Sequence, residues 1–168
     1  MHTPIITGTG VFTPEHTITN DELVASFNAY VDRFNATHAD AIAKGTIAGK
    51  AHLSSEFITA ASGIEQRYVI DKRGPLDPAR MLPAIDPRPD DAPSLMAEMA
   101  LDAAQKALNQ AAVDAQSIDL VLCAASNHER AYPAIADEIQ DLLGSKGFAS
   151  DMNVACSSAT FGLQTACD

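Results

Sequence analysis

One cysteine, Cys156, lies where the character of the sequence changes. Residues 151–155 are mostly apolar and predict a short strand, whereas residues 156–165 are mostly small and predict a helix. A cysteine on the first turn of a helix lies near unpaired N–H groups and the positive end of the helix dipole, and both favour the thiolate. Its neighbours are small and leave room for a substrate (Ala155, Ser157, Ser158 and Ala159). Cys156 is therefore a candidate nucleophile, and a buried structural cysteine is the alternative.

The segments that must position this cysteine alternate between helices and strands. Apolar residues at helical spacing predict helices over residues 94–112 and 133–144. The nearly all-apolar residues 118–125 predict a strand covered on both faces, with Cys123 in the core. Residues 148–155 predict the strand that precedes the candidate nucleophile. This alternation is typical of an α/β protein with a mixed sheet.

The first residues of the chain predict a strand and then a capped helix. Residues 5–12 have strand character and contain Gly8 and Gly10, which nearly match a dinucleotide-binding motif. The third glycine of that motif is missing, so we expect these glycines to allow close backbone packing instead. Thr19 and Glu22 have the spacing of a capping box, which predicts a helix from about residue 20.

The middle of the chain predicts a short helix, a strand and a long loop. Ser54 or Ser55 is expected to cap a helix over residues 56–61 that ends at Gly63, and residues 66–70 predict a strand. Residues 71–93 contain six prolines and predict a loop. A loop of this length is a lid, an interface arm or a flexible insertion.

Composition excludes several classes of function. The 168 residues are 46% hydrophobic and 20% charged, which is typical of one globular domain, and the formal net charge is −11. That charge argues against binding nucleic acid or an anionic membrane surface. Three cysteines without metal-ligand spacing predict neither a disulfide framework nor a metal site. Without a signal peptide or membrane span, we expect a cytoplasmic protein.

Three motifs resemble those of β-ketoacyl-acyl-carrier-protein synthase III enzymes and occur in that family's order. Residues 63–67 (GIEQR) resemble its Gly-Ile-x-x-Arg motif, and residues 131–133 (AYP), with IQ at 139–140 and LG at 143–144, resemble its Ala-Phe-Pro…Ile-Gln…Leu-Gly segment. Cys156 then falls where the family places its nucleophile. The sequence of residues 19–23 and 151–162 is most similar to that of the longer β-ketodecanoyl-acyl-carrier-protein synthase branch.

This resemblance implies a fold and a domain organisation. The expected fold is α/β and thiolase-like, with a mixed β-sheet covered by helices and the nucleophile at the start of a central helix. Residues 1–168 would form the N-terminal one of two similar halves and would end within the nucleophile helix. The family's catalytic His and Asn, and the glycine that supplies a second oxyanion donor, belong to the other half. We therefore expect the 168-residue chain to be inactive alone.

The resemblance also implies a reaction. Cys156 would take an acyl group from a primer acyl-CoA, of medium length and octanoyl-like, as a thioester. Malonyl-acyl carrier protein would lose CO2, and its carbanion would attack that thioester. The backbone N–H of Cys156 would donate to the developing oxyanion. The implied role is initiation of fatty acid biosynthesis, by a homodimer that needs no cofactor and has acyl-CoA and acyl carrier protein as partners.

Some positions depart from the family pattern. A Trp and an Arg hold the CoA adenine in compact members, and Phe57 and Ala61 occupy the matching positions here. Phe57 retains an aromatic surface for stacking, whereas Ala61 offers no cation. Tyr132 matches a Phe that bounds the partner subunit's acyl pocket, and simple packing beside Pro133 is the alternative. Residues 45–53 and 71–93 are longer than in compact members and are candidates to cover a medium acyl chain.

No histidine of the chain has a clear claim to a catalytic role. The five are His2, His16, His38, His52 and His128. His128 precedes the segment of Tyr132 and is the candidate to approach the site, with an ordinary loop histidine as the favoured interpretation. Arg67, Lys72 and Arg73 are scattered cations that could contribute to a surface for the acidic carrier protein.

Two other functional interpretations remain open at this point. A thiolase or a hydroxymethylglutaryl-CoA synthase type of enzyme would share the fold and the nucleophile but use an acetyl-CoA carbanion. A non-catalytic partner or structural half belongs to a different class. The intact cysteine argues against a dedicated non-catalytic partner, because such partners lose it.

Overall fold

The computed structural model describes residues 4–168, so His2 lies outside the described residues. The chain divides into two compact units. One consists of Thr13–Pro87 and contains Phe57; we call it the Phe57 unit. The other consists of the residues up to Phe12 together with Arg88–Asp168 and contains the candidate nucleophile; we call it the Cys156 unit.

The Phe57 unit begins with a strand that the sequence did not predict. Strand β1 (His16–Thr19) pairs antiparallel with β2 (Gln66–Val69), with His16 opposite Val69. The predicted capping box is confirmed: the Thr19 side chain accepts a hydrogen bond from Glu22 N at 3.2 Å, and Glu22 Oε2 accepts one from Thr19 N at 2.9 Å. Helix α1 (Asn20–Thr37) therefore starts where the sequence indicated.

A short helix, α2 (Ala39–Ala43), and an irregular segment follow α1 in this unit. Two asparagines of α1 hold that segment. Asn35 pairs with both backbone groups of Lys50 at 2.9 Å, and Asn28 pairs with both backbone groups of Leu53 at 3.0 Å. Helix α3 (Ser55–Ser62) begins immediately afterwards. Its predicted cap, Ser54, is confirmed, as is its end at Gly63, which has a φ of 71°.

The Cys156 unit is built around a parallel strand pair and its crossover helix. Helix α4 (Leu95–Ala111) is followed by a 3-10 turn (Ala115–Ser117), strand β3 (Leu120–Ala124), helix α5 (Ile135–Leu143) and strand β4 (Phe148–Met152). Strands β3 and β4 are parallel, with Leu120 opposite Phe148. The core of the unit lies between α4, α5 and this sheet (Ala97, Ile135 and Ile139, with Val121, Cys123 and Leu142 against them).

The prediction of a strand over residues 5–12 is wrong. These residues adopt no regular secondary structure, and Ile5, Ile6 and Val11 are exposed. The predicted use of the glycines is confirmed, because they lie against the backbone of α4. A Cβ atom on Gly8 would lie 2.1 Å from Ala107 O, and one on Gly10 would lie 1.9 Å from Ala103 O. The close approach of this backbone to α4, and not strand pairing, explains why the segment contains glycines at positions 8 and 10.

Strand β3 is also less covered than its composition predicted. Leu120 is 40% exposed, and the other four residues of the strand are only partly buried. An apolar cleft of about 420 Å³ borders the strand and is lined by residues such as Ala104, Leu108 and Leu122. Antiparallel and parallel pairing both occur in the described residues, but in two separate two-stranded sheets. The predicted loop at residues 71–93 contains no helix or strand.

Candidate active site

Cys156 lies on a tight turn between β4 and α6 (Ser158–Cys167) and is exposed. The expectation that it occupies the first turn of the helix is wrong by two residues, because Ser157 is the N-cap and Ser158 is the first helical residue. The preceding strand also ends earlier than predicted, at Met152. The sequence pattern missed the turn because Asn153-Val154-Ala155 has strand-like composition, whereas Ala155 has a φ of 50°.

The turn is closed by its own backbone and by Asn153. Ser157 N donates to Val154 O, and Ser158 N donates to Ala155 O, each at 3.1 Å. Asn153 Oδ1 accepts from Ala155 N at 3.1 Å, while its Nδ2 donates to Ser126 O at 3.2 Å. The turn presents an exposed thiol on a defined backbone, which suits attack on a carbonyl carbon.

Helix α6 lies unusually close to β3, and Gly162 permits this. A Cβ atom on Gly162 would lie 2.8 Å from the Cβ of Ala124 and 3.6 Å from Leu122 Cδ2. The first distance is shorter than atoms tolerate without movement, so a larger residue would push the helix away from the strand. Gly162 thereby fixes the depth at which the helix after Cys156 packs on the sheet.

Asp151, which the sequence analysis treated only as a strand residue, caps α5. Its Oδ2 accepts a hydrogen bond from Ile135 N at 2.9 Å, and its Oδ1 accepts one from Ala136 N at 2.8 Å. The α5 N-cap residue, Ala134, has no side chain that could do this. Carboxylates at helix N-termini are stabilised by the free N–H groups and the helix dipole. A cap contributed from 16 residues away in sequence leaves no local signal.

His128 lies beside this cap. Its Nε2 is 3.2 Å from Cys123 O and 3.8 Å from Asp151 Oδ2, and its side chain is mostly buried. Potential ligand atoms of Cys123, His128 and Asp151 lie within 4.8 Å of one another. Both Asp151 oxygens already accept hydrogen bonds from α5, however, so the arrangement is accounted for as a helix cap with a neighbouring loop histidine. We assign no metal to it.

Cys123 differs chemically from Cys156. Burial, and to a smaller extent the Asp151 carboxylate, raise the pKa of Cys123 to about 11. A thiol with that pKa is almost wholly protonated at neutral pH and is a poor nucleophile. Cys123 packs against the core of the unit, as predicted. Of these two cysteines, only Cys156 combines exposure with a position on a turn.

An open cleft of about 570 Å³ lies between the loop at residues 126–131 and the end of β4. Its lining includes His128, Asp151 and Asn153. Tyr132 follows this loop directly and is 90% exposed. Packing of Tyr132 against Pro133, the simple alternative considered above, therefore does not bury its ring within the described residues. The bond between these two residues is a cis peptide.

Phe57 is 61% exposed on the first turn of α3, in the other unit. Ala61 lies four residues later on the same helix, so the two positions share a face. Phe57 leaves an aromatic face available to a planar ligand, and no cation from position 61 accompanies it. The structure thus gives each predicted substrate-binding residue, Phe57 and Tyr132, an exposed ring.

In the described part of the chain, each of the three scattered cations is bound by a neighbouring side chain. Arg67 donates to Asn20 Oδ1 at 2.7 Å, Lys72 pairs with Glu22 at 2.5 Å, and Arg73 pairs with two carboxylates. Each cation already has a polar or acidic partner in its own unit, which leaves little unpaired positive charge there for an acidic protein. Within residues 4–168, no helix is both long enough and apolar enough to cross a bilayer.

Comparison with known proteins identifies clear relatives. The chain is 53% identical over 141 residues to a β-ketodecanoyl-acyl-carrier-protein synthase of Pseudomonas aeruginosa, a match that covers 84% of this chain and 40% of that protein. It is 30% identical over 164 residues to a β-ketoacyl-acyl-carrier-protein synthase III of Granulibacter bethesdensis, covering 97% of this chain and 37% of that protein. A search against family models gave no match.

Solved structures agree with these relatives. The crystal structure of 3-oxoacyl-acyl-carrier-protein synthase III from Aquifex aeolicus matches with a TM-score of 0.65 and 25% identity, over 96% of this chain and 38% of that one. The predicted fold class, α/β and thiolase-like, is confirmed. The chain spans about two fifths of the length of the curated relatives that it matches.

Proposed function

Because the chain belongs to the β-ketoacyl-acyl-carrier-protein synthase III family, we propose that the whole protein condenses a primer acyl-CoA with malonyl-acyl carrier protein. The observation that carries this proposal is the exposed thiol of Cys156 on the turn between β4 and α6. The protein would act at the start of fatty acid biosynthesis as an acyltransferase.

The proposed chemistry proceeds through an acyl-enzyme. The Cys156 thiolate attacks the thioester carbonyl of acyl-CoA, and CoA leaves as its thiolate. Malonyl-acyl carrier protein then loses CO2, and the resulting carbanion attacks the acyl-Cys156 carbonyl. Collapse of this adduct expels the Cys156 thiolate and yields β-ketoacyl-acyl carrier protein. The backbone N–H of Cys156 would donate a hydrogen bond to the oxyanion at both carbonyl steps.

We propose a medium-chain primer, octanoyl in size. The 53% identical relative is named for a β-ketodecanoyl product, whose ten carbons equal an eight-carbon primer extended by two. Phe57 is proposed to stack on the CoA adenine, for which its exposed ring is suited. Tyr132 is proposed to bound the acyl pocket of a second subunit in a homodimer, and its 90% exposure supports a role outside its own core.

We further propose that residues 1–168 supply only the nucleophile half of the active site. The groups that promote loss of CO2 would lie in a second half, as the length of the relatives suggests. The 168-residue chain should therefore form no condensation product by itself. Product above background from that chain would contradict this part of the proposal.

The test is a condensation assay on the intact natural protein. Labelled malonyl-acyl carrier protein is supplied with octanoyl-CoA or with acetyl-CoA, and the β-ketoacyl product is identified by mass. We expect turnover with octanoyl-CoA at least tenfold above acetyl-CoA, and none with a Cys156→Ala variant. Equal turnover by Cys156→Ala would refute the proposed nucleophile, and a preference for acetyl-CoA would refute the proposed chain length alone.

A further inference from the structure

The side chain of Ser158 is buried at the centre of the turn that carries Cys156. The sequence analysis counted Ser158 among the small residues that leave room for substrate, but the residue is only 3% exposed. Its Oγ accepts a hydrogen bond from Val154 N at 2.9 Å. It also lies 2.8 Å from Ala155 O and 3.3 Å from Ala125 O.

These contacts use the single proton of the hydroxyl and one of its two lone pairs. A serine hydroxyl has one proton to donate and two lone pairs to accept with. Here it accepts from the start of the turn and shares its proton between a carbonyl of the turn and one at the end of β3. Ser158 therefore joins three segments: the turn, the first residue of α6 and the residue that follows β3.

The turn needs such support because its central residue is conformationally strained. Ala155 has a φ of 50°, in the left-handed region that residues with a Cβ atom avoid. That conformation costs roughly 1–2 kcal/mol and persists only where the surrounding contacts hold it. The Ser158 hydroxyl bonds to Val154 N, in the residue before Ala155, and to the carbonyl oxygen of Ala155 itself. The two bonds thus hold the backbone before and after the strained φ torsion.

We propose that Ser158 is a positioning residue for Cys156. Its hydroxyl fixes the turn, and the turn fixes the direction of the Cys156 backbone N–H and of its thiol. Ser158 does not touch the reacting atoms. This inference rests on the proposed function, in which Cys156 attacks an acyl-CoA. A displacement of about 1 Å at a reacting group lowers rates roughly 100-fold.

The neighbouring Ser157 offers a matched control. It is exposed, and its hydroxyl makes no hydrogen bond among residues 4–168, although it occupies the N-cap of α6. Replacing either serine by alanine removes one hydroxyl oxygen, and the two positions are adjacent in the chain. Only at Ser158 does the change remove the hydrogen-bond partner of Val154 N–H.

The experiment compares three properties of the intact natural protein and its Ser158→Ala, Ser158→Gly and Ser157→Ala variants. The first is the rate of Cys156 acylation by octanoyl-CoA, and the second is the rate of its alkylation by iodoacetamide across pH. The third is amide hydrogen exchange in the peptide that contains residues 153–157. Thermal unfolding midpoints identify the variants that remain folded. If Ser158→Ala disrupts folding, Ser158→Gly takes its place in the comparison.

We expect loss of the Ser158 hydroxyl to slow acylation by about 10- to 100-fold. Alkylation should change less than threefold, with the same pH profile, because this reaction needs a thiolate but no oxyanion geometry. Exchange of the turn amides should accelerate, and Ser157→Ala should leave all three properties unchanged. Undiminished acylation in a folded Ser158 variant would overturn the inference.

The design separates failure of this inference from failure of the proposed function. If the unsubstituted protein forms no acyl adduct on Cys156, the proposed function fails. Hydrogen exchange then still decides whether Ser158 holds the turn: faster exchange in the Ser158 variants supports that role, and unchanged exchange overturns it. A parallel drop in alkylation and acylation would also contradict the inference, because it would indicate a general change in the thiol.

Discussion

Asp151 Oδ2 accepts a hydrogen bond from Ile135 N at 2.9 Å, so the end of strand β4 directly holds the start of α5. Asp151 lies five residues before Cys156, and Ile135 lies three residues after Tyr132. One carboxylate thus connects the segment of the proposed nucleophile with the segment of the proposed pocket residue. Displacement of either segment would be transmitted to the other through this cap.

Replacing Asp151 should therefore destabilise α5. We expect Asp151→Ala to lower the free energy of unfolding by about 1–2 kcal/mol, as for the loss of a helix N-cap. Asp151→Asn should lose less, because an amide oxygen still accepts one of the two bonds. Thermal unfolding and hydrogen exchange at Ile135 and Ala136 measure this. Asp137→Asn is the control, since Asp137 is exposed on the same helix; an equal loss there would indicate a charge effect instead of a cap.

The chemical contrast between two cysteines gives a second prediction. Because burial and Asp151 raise the pKa of Cys123 to about 11, its alkylation by iodoacetamide at pH 8 should be on the order of 100 times slower than that of Cys156. Peptide mass spectrometry after timed labelling measures both rates. Comparable rates at the two sites would contradict the burial of Cys123.

The raised pKa of Cys123 also fixes the sign of a pH effect on stability. The contribution from keeping this thiol neutral is fully present below the ordinary thiol pKa of about 8.5. It is lost as the pH rises through the folded-state pKa of about 11. A Cys123→Ala variant should therefore lose less stability between these pH values than the unsubstituted protein does.

The elements that the sequence predicted correctly have local causes. The capping box of Thr19 and Glu22, the Ser54 cap and the helix end at Gly63 are each decided within a few residues, and each is observed. The order of β3, α5 and β4 along the chain follows similarly from alternating apolar segments. Cys156 was correctly placed after a strand and before a helix, although the strand ends at Met152 and the helix begins at Ser158.

The features that the sequence did not predict depend on contacts between distant residues. The Asp151 cap joins positions 16 apart, and the buried role of Ser158 depends on Ala125, 33 residues away. Residues 5–12 look like a strand by composition, but the glycines bring their backbone against α4. Strand β1 was missed because its four residues, HTIT, carry only one strongly apolar side chain.

The capping box of Thr19 and Glu22 provides a further prediction. A hydrogen bond from Lys72, then bonds from Thr19, hold the pKa of Glu22 below its ordinary value. The stabilising contribution is therefore present above the ordinary carboxyl pKa and is lost as the pH falls through the lower, folded-state value. Nuclear magnetic resonance titration should show a lowered Glu22 pKa that rises, but not fully, in Lys72→Met. No rise in that variant would contradict the assigned cause.

Tyr132 provides a prediction on acyl chain length. If this exposed ring bounds the acyl pocket of a second subunit, Tyr132→Ala should enlarge the pocket and shift the preferred primer towards longer acyl-CoA. The ratio of turnover on decanoyl-CoA to that on octanoyl-CoA should rise several-fold. Tyr132→Phe, which keeps the ring, should leave the ratio unchanged. An unaltered chain-length profile in Tyr132→Ala would remove Tyr132 from the pocket.

The proposed reaction requires Cys156 to carry a medium-length acyl group. The most direct measurement is mass spectrometry of the intact natural protein and its peptides after incubation with octanoyl-CoA or, in parallel, acetyl-CoA. We expect an octanoyl adduct on the peptide that contains Cys156, none on those containing Cys123 or Cys167, and little or no adduct from acetyl-CoA. An octanoyl group on another residue, or no adduct at all on the full-length protein, would contradict the proposed reaction.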